Sequence, residues 1–373
     1  MTTAQNLYSL HLSTATSWRG GENQIWLLAR GLLTRGQRVL VAAPRGAPLL
    51  ERCREANIPT MALALRGSID PLATLRLMAL LRKERPDILH LHDGHAVLHG
   101  QLAGLALFGK KLKVVAHRRT VFDLKSRWKY NGRVDRIIAI SRAVREKLIA
   151  DGVSEKRICV VYSGLEFSDK LPPEHREIVN LRQACGLPND GLLIAHAAAL
   201  SAEKRQMDII AALDRAWNNL KMNGAPSVHL ALAGIGPEED TLRREVSARA
   251  LQAQVHFLGF LRDLRPLWGS SALAVFASEA EGLCTALIEA QAMGLPAVIT
   301  RAGGMTEVVA SEESGIVAEV GDVAGLAAGI ERLCADAALR RQMGLAAEQR
   351  TRNRFGAEAM VDGVLNVYRE LAE

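Results

Sequence analysis

The stretch Phe276–Val308, FASEAEGLCTALIEAQAMGLPAVITRAGGMTEV, places two apolar runs on either side of a polar loop and an apolar-faced segment. The run that opens it, Leu273-Ala-Val-Phe276, is short and uniformly apolar, the pattern of a strand buried on both faces. Ser278-Glu-Ala-Glu-Gly282 is polar and ends on a glycine, which suits a tight backbone turn. Leu287, Ile288, Ala290, Ala292 and Met293 then predict a helix, stopped by Gly294 with Pro296 beyond it. A second apolar strand, Ala297–Thr300, leads to Gly303-Gly304. The reading is one βαβ unit with its polar loop at the carboxyl end of the first strand.

That loop offers two kinds of chemistry. The backbone amides of Gly282, Leu283, Cys284 and Thr285 open a helix, where N–H groups lack intrahelical partners and the helix dipole is positive, so a diphosphate is a natural guest. Glu281 precedes the helix and Glu289 lies eight residues further on. Carboxylates repel phosphate, but each accepts several hydrogen bonds from hydroxyls. One glutamate on ribose hydroxyls and one on sugar hydroxyls would make the loop a nucleotide-sugar site.

The same alternation runs outward along the chain. Strands are predicted at Leu7–Leu12, Val39–Ala43, Thr60–Leu65, Ile88–His92, Lys113–His117 and Arg136–Ser141. Helices are predicted between them, including one with Ile25, Leu28, Ala29, Leu32 and Leu33 on a single face, after a loop over residues 13–23. Periodicity fades from Ser163 to Asn189, where Pro172-Pro173 and Pro188 break it. Strands resume at Leu192–Ala197, Val228–Ala233, Val255–Leu258, Leu273–Phe276 and Ala297–Thr300. The expected fold is α/β with two doubly wound parallel sheets in tandem. The expected divisions are 1–172, a linker at 173–189, 190–355, and a last helix within 356–373. Open sheets of this kind bind ligands at the carboxyl ends of their strands, so two facing edges predict a cleft. Neither half carries G-x-G-x-x-G after its first strand, which argues against a dinucleotide-dependent oxidoreductase.

Composition fits. The 373 residues suffice for two or three domains, with 49% hydrophobic and 23% charged content. Five cysteines, at 53, 159, 185, 284 and 334, form no C-x-x-C pair, so neither a disulfide framework nor a structural zinc site is expected. No secretory leader pattern and no apolar stretch of spanning length is read, and a reducing, cytoplasmic compartment is expected. The net charge of +7 conceals a division. Residues 1–185 hold 30 Lys and Arg against 16 Asp and Glu, and residues 186–373 hold 17 against 24. A first half at +14 suggests an anionic partner, nucleic acid or a membrane surface.

Glu281-Gly-Leu-Cys-Thr-Ala-Leu-Ile-Glu289, followed by Ala-Gln-Ala-Met-Gly-Leu-Pro-Ala-Val, resembles the signature of retaining glycosyltransferases of family four, which have the GT-B fold of two facing Rossmann-like domains. Ser17–Gln24, Ile88–His92, His117–Phe122 and Val160–Leu165 extend the resemblance over nearly the whole chain, toward bacterial members acting on lipopolysaccharide or other lipid-linked glycans. The resemblance implies that Glu281 positions sugar hydroxyls and Glu289 the ribose. It places Lys204 on the diphosphate, where the family also has an arginine just before Leu200. This chain has Ala199 there, and Arg205 is the candidate substitute. Gly234-Ile-Gly236-Pro237 resembles the family's GxGP turn, and Gly259-Phe260 follows the strand whose end holds the nucleobase in relatives. Gly20-Gly21 matches the glycine-rich loop that approaches donor phosphate and acceptor. His117 matches a histidine that contacts the transferred sugar without acting as a base. The last helix, in relatives, crosses back onto the first domain.

Trp18, Arg118, Arg119, Lys125, Arg127, Trp128 and Lys129 interleave rings with cations, a pattern that suits an anionic lipid surface or phosphorylated acceptor. No Asp-x-Asp pair or His, Cys and carboxylate cluster of ligand spacing is read, so no metal or other cofactor is expected. The function expected is therefore metal-independent transfer from a nucleotide sugar, UDP-sugar first and GDP- or ADP-sugar also admissible, to a lipid-linked glycan at the inner membrane face, with no nucleic acid partner. The resemblance further implies retention through same-face attack, the departing phosphate taking the acceptor's proton while domain closure excludes water. The rival expectations are a nucleotide-sugar epimerase of the same fold and a non-catalytic protein binding anionic surfaces through its basic half.

Overall fold

A computed structural model describes residues 6–64, 70–105, 112–124, 126–167, 181–222 and 224–373. They form two compact units, residues 1–164 with 355–373, and residues 165–354.

In the first unit seven strands form one parallel sheet: β1 (Tyr8–Leu12), β2 (Arg38–Pro44), β3 (Thr60–Leu63), β4 (Ile88–Leu91), β5 (Lys113–Arg118), β6 (Arg136–Ala139) and β7 (Ile158–Val160). Their order is β3-β2-β1-β4-β5-β6-β7. Helices cover the faces, so β1 and β4 are buried at every position, as their uninterrupted apolar and small residues require. The predicted strands match within a residue or two, except that β6 stops at Ala139: Ser141 instead caps the helix Arg142–Ala150, its hydroxyl accepting from the Val144 amide at 3.1 Å. β7 has no predicted counterpart. Three residues, of which Cys159 and Val160 are half-buried, carry too little apolar signal.

Helix α1 (Gly20–Thr34) begins four residues earlier than the expected loop allows. Glu22, its third residue, accepts from the Arg19 backbone amide at 2.9 Å and closes the first turn. The buried stripe of Ile25, Leu28, Ala29 and Leu32 then meets the chain's last helix, Ala357–Ala372. Contact is intimate because residue 31 has no side chain: a Cβ there would lie 2.4 Å from Val361 Cγ2. Arg35 adds an ion pair to Asp362 at 2.5 Å, and Met360, Val361, Val364, Leu365 and Tyr368 enter the core.

The second unit has six parallel strands, β8 (Leu192–Ala197), β9 (Val228–Ala233), β10 (Val255–Gly259), β11 (Leu273–Phe276), β12 (Ala297–Thr300) and β13 (Gly315–Ala318), in the order β10-β9-β8-β11-β12-β13. The first five follow the sequence expectation almost to the residue; β13, again short and half-exposed at its centre, is an addition. Both sheets reverse direction of winding at one place, between β1 and β4 and between β8 and β11, and ligands collect at such switch points.

Candidate functional site

The switch point of the second sheet gathers four loops. A short 3-10 turn, Ala202–Lys204, follows β8, and Arg205 after it adopts left-handed backbone at φ 51°. Backbone hydrogen bonds tie this loop to its neighbours: Leu200 N donates to Ile235 O at 3.1 Å, Glu238 N to Leu200 O at 3.0 Å, and Glu279 N to Glu203 O at 3.0 Å. Gly234 N donates to Gly259 O at 2.7 Å. Gly234 has φ +142°, and a Cβ on it would lie 1.8 Å from Ala198 O, so glycine is required there. The second glycine pair supports the glutamate loop in the same way. Gly303, at φ +49°, would drive a Cβ to 2.1 Å from Glu281 O, and Gly304 N donates to that oxygen at 3.0 Å.

On this scaffold Lys204 and Glu281, 77 residues apart, meet. Lys204 Nζ donates to Glu281 Oε1 at 2.5 Å, with the two side chains only 19% and 12% exposed. Ser278 Oγ donates to the same oxygen at 3.0 Å, and Thr300 Oγ1 fixes the Ser278 carbonyl at 2.7 Å. Burial works against the Lys204 charge, but the adjoining carboxylate outweighs it and raises the ammonium pKa above its ordinary value. The ammonium and the carboxylate that the sequence offers separately are therefore one ion pair. Ser278 carried no signal in the sequence beyond its place after a strand.

Helix α10 (Thr285–Ala292) starts after Cys284, whose backbone is left-handed at φ 61°. Leu283 is buried beneath the loop while Gly282, Cys284 and Thr285 are partly exposed. Burial pushes the Cys284 thiol far above its ordinary pKa, with Glu281 adding to it, so it stays a neutral thiol. Glu289 projects one turn into the helix. Burial raises its carboxyl to about 7; the Trp268 indole N–H opposes this without reaching hydrogen-bond geometry, and Asp263 adds to it. Phe260, at the end of β10, is 72% exposed. Gly236 packs under Leu200, where a Cβ would meet the carbonyl at 2.2 Å.

Arg205 does not stand free for phosphate. Its guanidinium donates to Asp208 at 2.7 Å and lies 3.7 Å from Glu279, so the substitute expected for the arginine missing at Ala199 is engaged with carboxylates.

The first sheet's switch point holds His117, and not as a lone residue. His11 on β1, His90 and His92 at the end of β4, and His117 on β5 form one buried cluster, with stacked neighbours such as His90 and His117 at 5.3 Å between ring centres. Burial pushes His11 down to about 3 and His90, His92 and His117 well below the ordinary imidazole value, so all four are neutral. Nitrogens of His11, His90 and His92 lie within 4.8 Å of one another, a spacing that could hold a metal ion. This cluster is not legible in sequence, because His11 joins His90 and His92 only through the β1–β4 pairing. Against a cation, the Arg119 guanidinium already donates to His92 Nδ1 at 3.2 Å.

That contact corrects the role expected of Arg119. Its Nε and Nη1 are buried without a partner among the described residues, beside Gly21 in the first turn of α1, and burial lowers its pKa to about 10. Arg118 is spent on the Thr120 and Phe122 carbonyls. Trp18 is half-buried against the core with the Arg52 guanidinium 4.2 Å over its ring, which withdraws it from the expected lipid-facing set. Of that set Arg127 and Trp128 are exposed, Lys129 is half-buried, and Lys125 lies outside the described residues. Phe122, 56% exposed, sits beside them.

Comparison with known proteins follows the same division. Residues 18–169 match the family described as Glycosyltransferase Family 4, and residues 178–350 match Glycosyl transferases group 1. The N-acetyl-alpha-D-glucosaminyl L-malate synthase of Bacillus anthracis is 27% identical over 304 residues, 79% of this chain and 77% of its own. The lipopolysaccharide core biosynthesis glycosyltransferase LpsE of Rhizobium meliloti is 31% identical over 142 residues, 38% of this chain and 42% of its own. Among solved structures, HepE of Anabaena in complex with UDP superposes with a TM-score of 0.84 at 21% identity, over 98% of this chain and 100% of that one. With both units assigned, one by each family description, the chain belongs to the group 1, family 4 glycosyltransferases of GT-B fold.

Proposed function

We propose that this glycosyltransferase draws its sugar from a nucleotide-sugar donor, a UDP-sugar in the first instance, and transfers it with retention and without a metal. The observation that carries the reading is the Lys204–Glu281 pair at a helix start, with Glu289 one turn on. A diphosphate arriving at the α10 amides competes for the Lys204 ammonium and releases Glu281 to sugar hydroxyls, while Glu289 faces the ribose. Lys204 and the amides meet the charge on the leaving diphosphate, which takes the acceptor's proton as the acceptor attacks from the same face. HepE has been solved with UDP and with UDP-glucose, which favours the uridine donor among the nucleotides. The test is a thermal-shift screen of UDP-, GDP- and ADP-sugars: bound donor raises the transition by mass action, UDP-sugars most. No shift with any of the three ends the reading.

The acceptor in this proposal is a lipid-linked glycan at the inner face of the plasma membrane. No helix among the described residues is long and apolar enough to cross a membrane. The exposed Phe122, Arg127 and Trp128 suit interfacial contact. An apolar groove of about 330 Å3 between α3 (Pro71–Glu84) and α4 (Gly94–Leu105), lined by Leu75, Leu98 and Leu102, offers room for part of a lipid. The protein is expected to sediment with vesicles containing anionic lipid, and the double variant Phe122→Ser with Trp128→Ser to lose most of that binding. Equal sedimentation of both proteins would remove the membrane face from the proposal. LpsE, named for lipopolysaccharide core biosynthesis, is consistent with such an acceptor.

A further inference from the structure

The histidine cluster contains two separate hydrogen-bonded chains, and their ends fix their direction. In the first, Arg119 donates to His92 Nδ1 at 3.2 Å, and arginine has no acceptor. His92 therefore carries its proton on Nε2 and donates to His11 Nδ1 at 3.0 Å, and His11 Nε2–H donates to Ser9 Oγ at 3.0 Å. In the second, the Tyr368 hydroxyl lies 2.5 Å from His90 Nδ1, and His90 Nε2 lies 3.2 Å from His117 Nδ1. His117 Nε2 is buried with no partner among the described residues.

The second chain admits two directions. If Tyr368 accepted from His90, its own hydroxyl hydrogen would be left without an acceptor, since His90 is its one hydrogen-bond partner among the described residues, and an orphaned buried donor is costly. If Tyr368 donates, the His117 Nε2–H is the one group of this chain left unpaired among the described residues; if it accepts, the phenol hydrogen and the His117 Nε2 lone pair are both left unpaired. Tyr368 is 1% exposed and burial holds its pKa well above the ordinary phenol value, so the hydroxyl proton stays in place.

We propose that Tyr368, acting through His90, fixes His117 in the Nε2–H tautomer, so that the open nitrogen of His117 is a hydrogen-bond donor and is not available as a base. The substrate group it fits is an oxygen with a free lone pair, such as a sugar hydroxyl. Tyr368 and His90 are then positioning residues on the last helix and on β4. The tautomer stands independently of the proposed function; its use on a sugar rests on that reading.

Nitrogen-15 NMR of histidine-labelled full-length protein tests this without donor or acceptor. The wild type is expected to show His117 protonated at Nε2. Tyr368→Phe keeps the ring and removes the donor, and the ratio of Nε2–H to Nδ1–H on His117 is expected to fall roughly tenfold, the scale of one buried hydrogen bond. His90→Leu breaks the chain one link later and is expected to give the same fall, which guards against misfolding of either variant. Wild-type His117 protonated at Nδ1, or an unchanged ratio in folded Tyr368→Phe and His90→Leu proteins, overturns the proposal. If the tautomer shifts as expected but no nucleotide sugar binds, the functional reading fails and the relay stands.

Discussion

Replacing Glu281 by Ala is expected to lower turnover roughly 10²–10³-fold, the usual loss when one preorganised group at a reacting centre is removed, while nucleotide affinity changes little. The reason lies in the pairing with Lys204 at 2.5 Å. In the free enzyme Glu281, steadied by the Ser278 hydroxyl, holds the ammonium over the loop; in the proposed donor complex the carboxylate passes to the sugar. Removing it deprives the sugar of its acceptor and also leaves a partly buried ammonium without its counter-charge, at a cost of about 1–3 kcal/mol in stability. A diphosphate can supply that counter-charge, so donor should restore more of the thermal stability of Glu281→Ala than it adds to the wild type. Steady-state kinetics with saturating donor, together with melting curves with and without donor, check both parts. Turnover within threefold of wild type would remove Glu281 from the site.

Glu289 is expected to make nucleotide binding pH-dependent. Its carboxyl titrates near 7 in the folded chain against an ordinary 4.5. Between those values the folded state holds a proton that the unfolded state has released, so stability falls as pH rises through that window, by roughly 3 kcal/mol in all once the group is ionised. Hydroxyl donors from a ribose favour the ionised form. Nucleotide affinity should therefore rise from about pH 6 to about pH 8, as the site no longer has to lose a proton on binding. Glu289→Gln should abolish this slope and weaken nucleotide binding about ten- to a hundredfold, the value of hydrogen bonds to a charged group. Its stability should be flat where the wild type declines. Calorimetric titration of UDP at the two pH values checks the binding, and wild-type affinity in Glu289→Gln would refute the ribose assignment.

Much of the fold was legible because parallel strands buried on both faces write themselves as continuous apolar runs. Leu273–Phe276 and Ala297–Thr300 are read to the residue. β7 and β13 escaped because three or four residues with half-exposed members do not rise above a loop. Gly20-Gly21 read as a loop, since glycine argues against helix, yet Glu22 closes the turn around them. The site's parts were legible one at a time, and their pairings were not. Lys204 meets Glu281 because β8 is adjacent to β11, and four histidines meet because β1, β4 and β5 are adjacent; neither adjacency has a local spacing that reveals it. The inward turn of Arg119 toward His92 is likewise a matter of tertiary placement that a run of cations conceals.

The return of residues 355–373 to the first unit sets an order on biosynthesis. A nascent chain can complete its second sheet while the first still lacks the helix that covers Ile25, Leu28 and Leu32. Until the last helix emerges from the ribosome, that stripe is bare and open to chaperones or to other chains. A fragment cut after residue 164 would retain this bare stripe permanently, so expressing the first unit alone calls for the tail to be supplied as well.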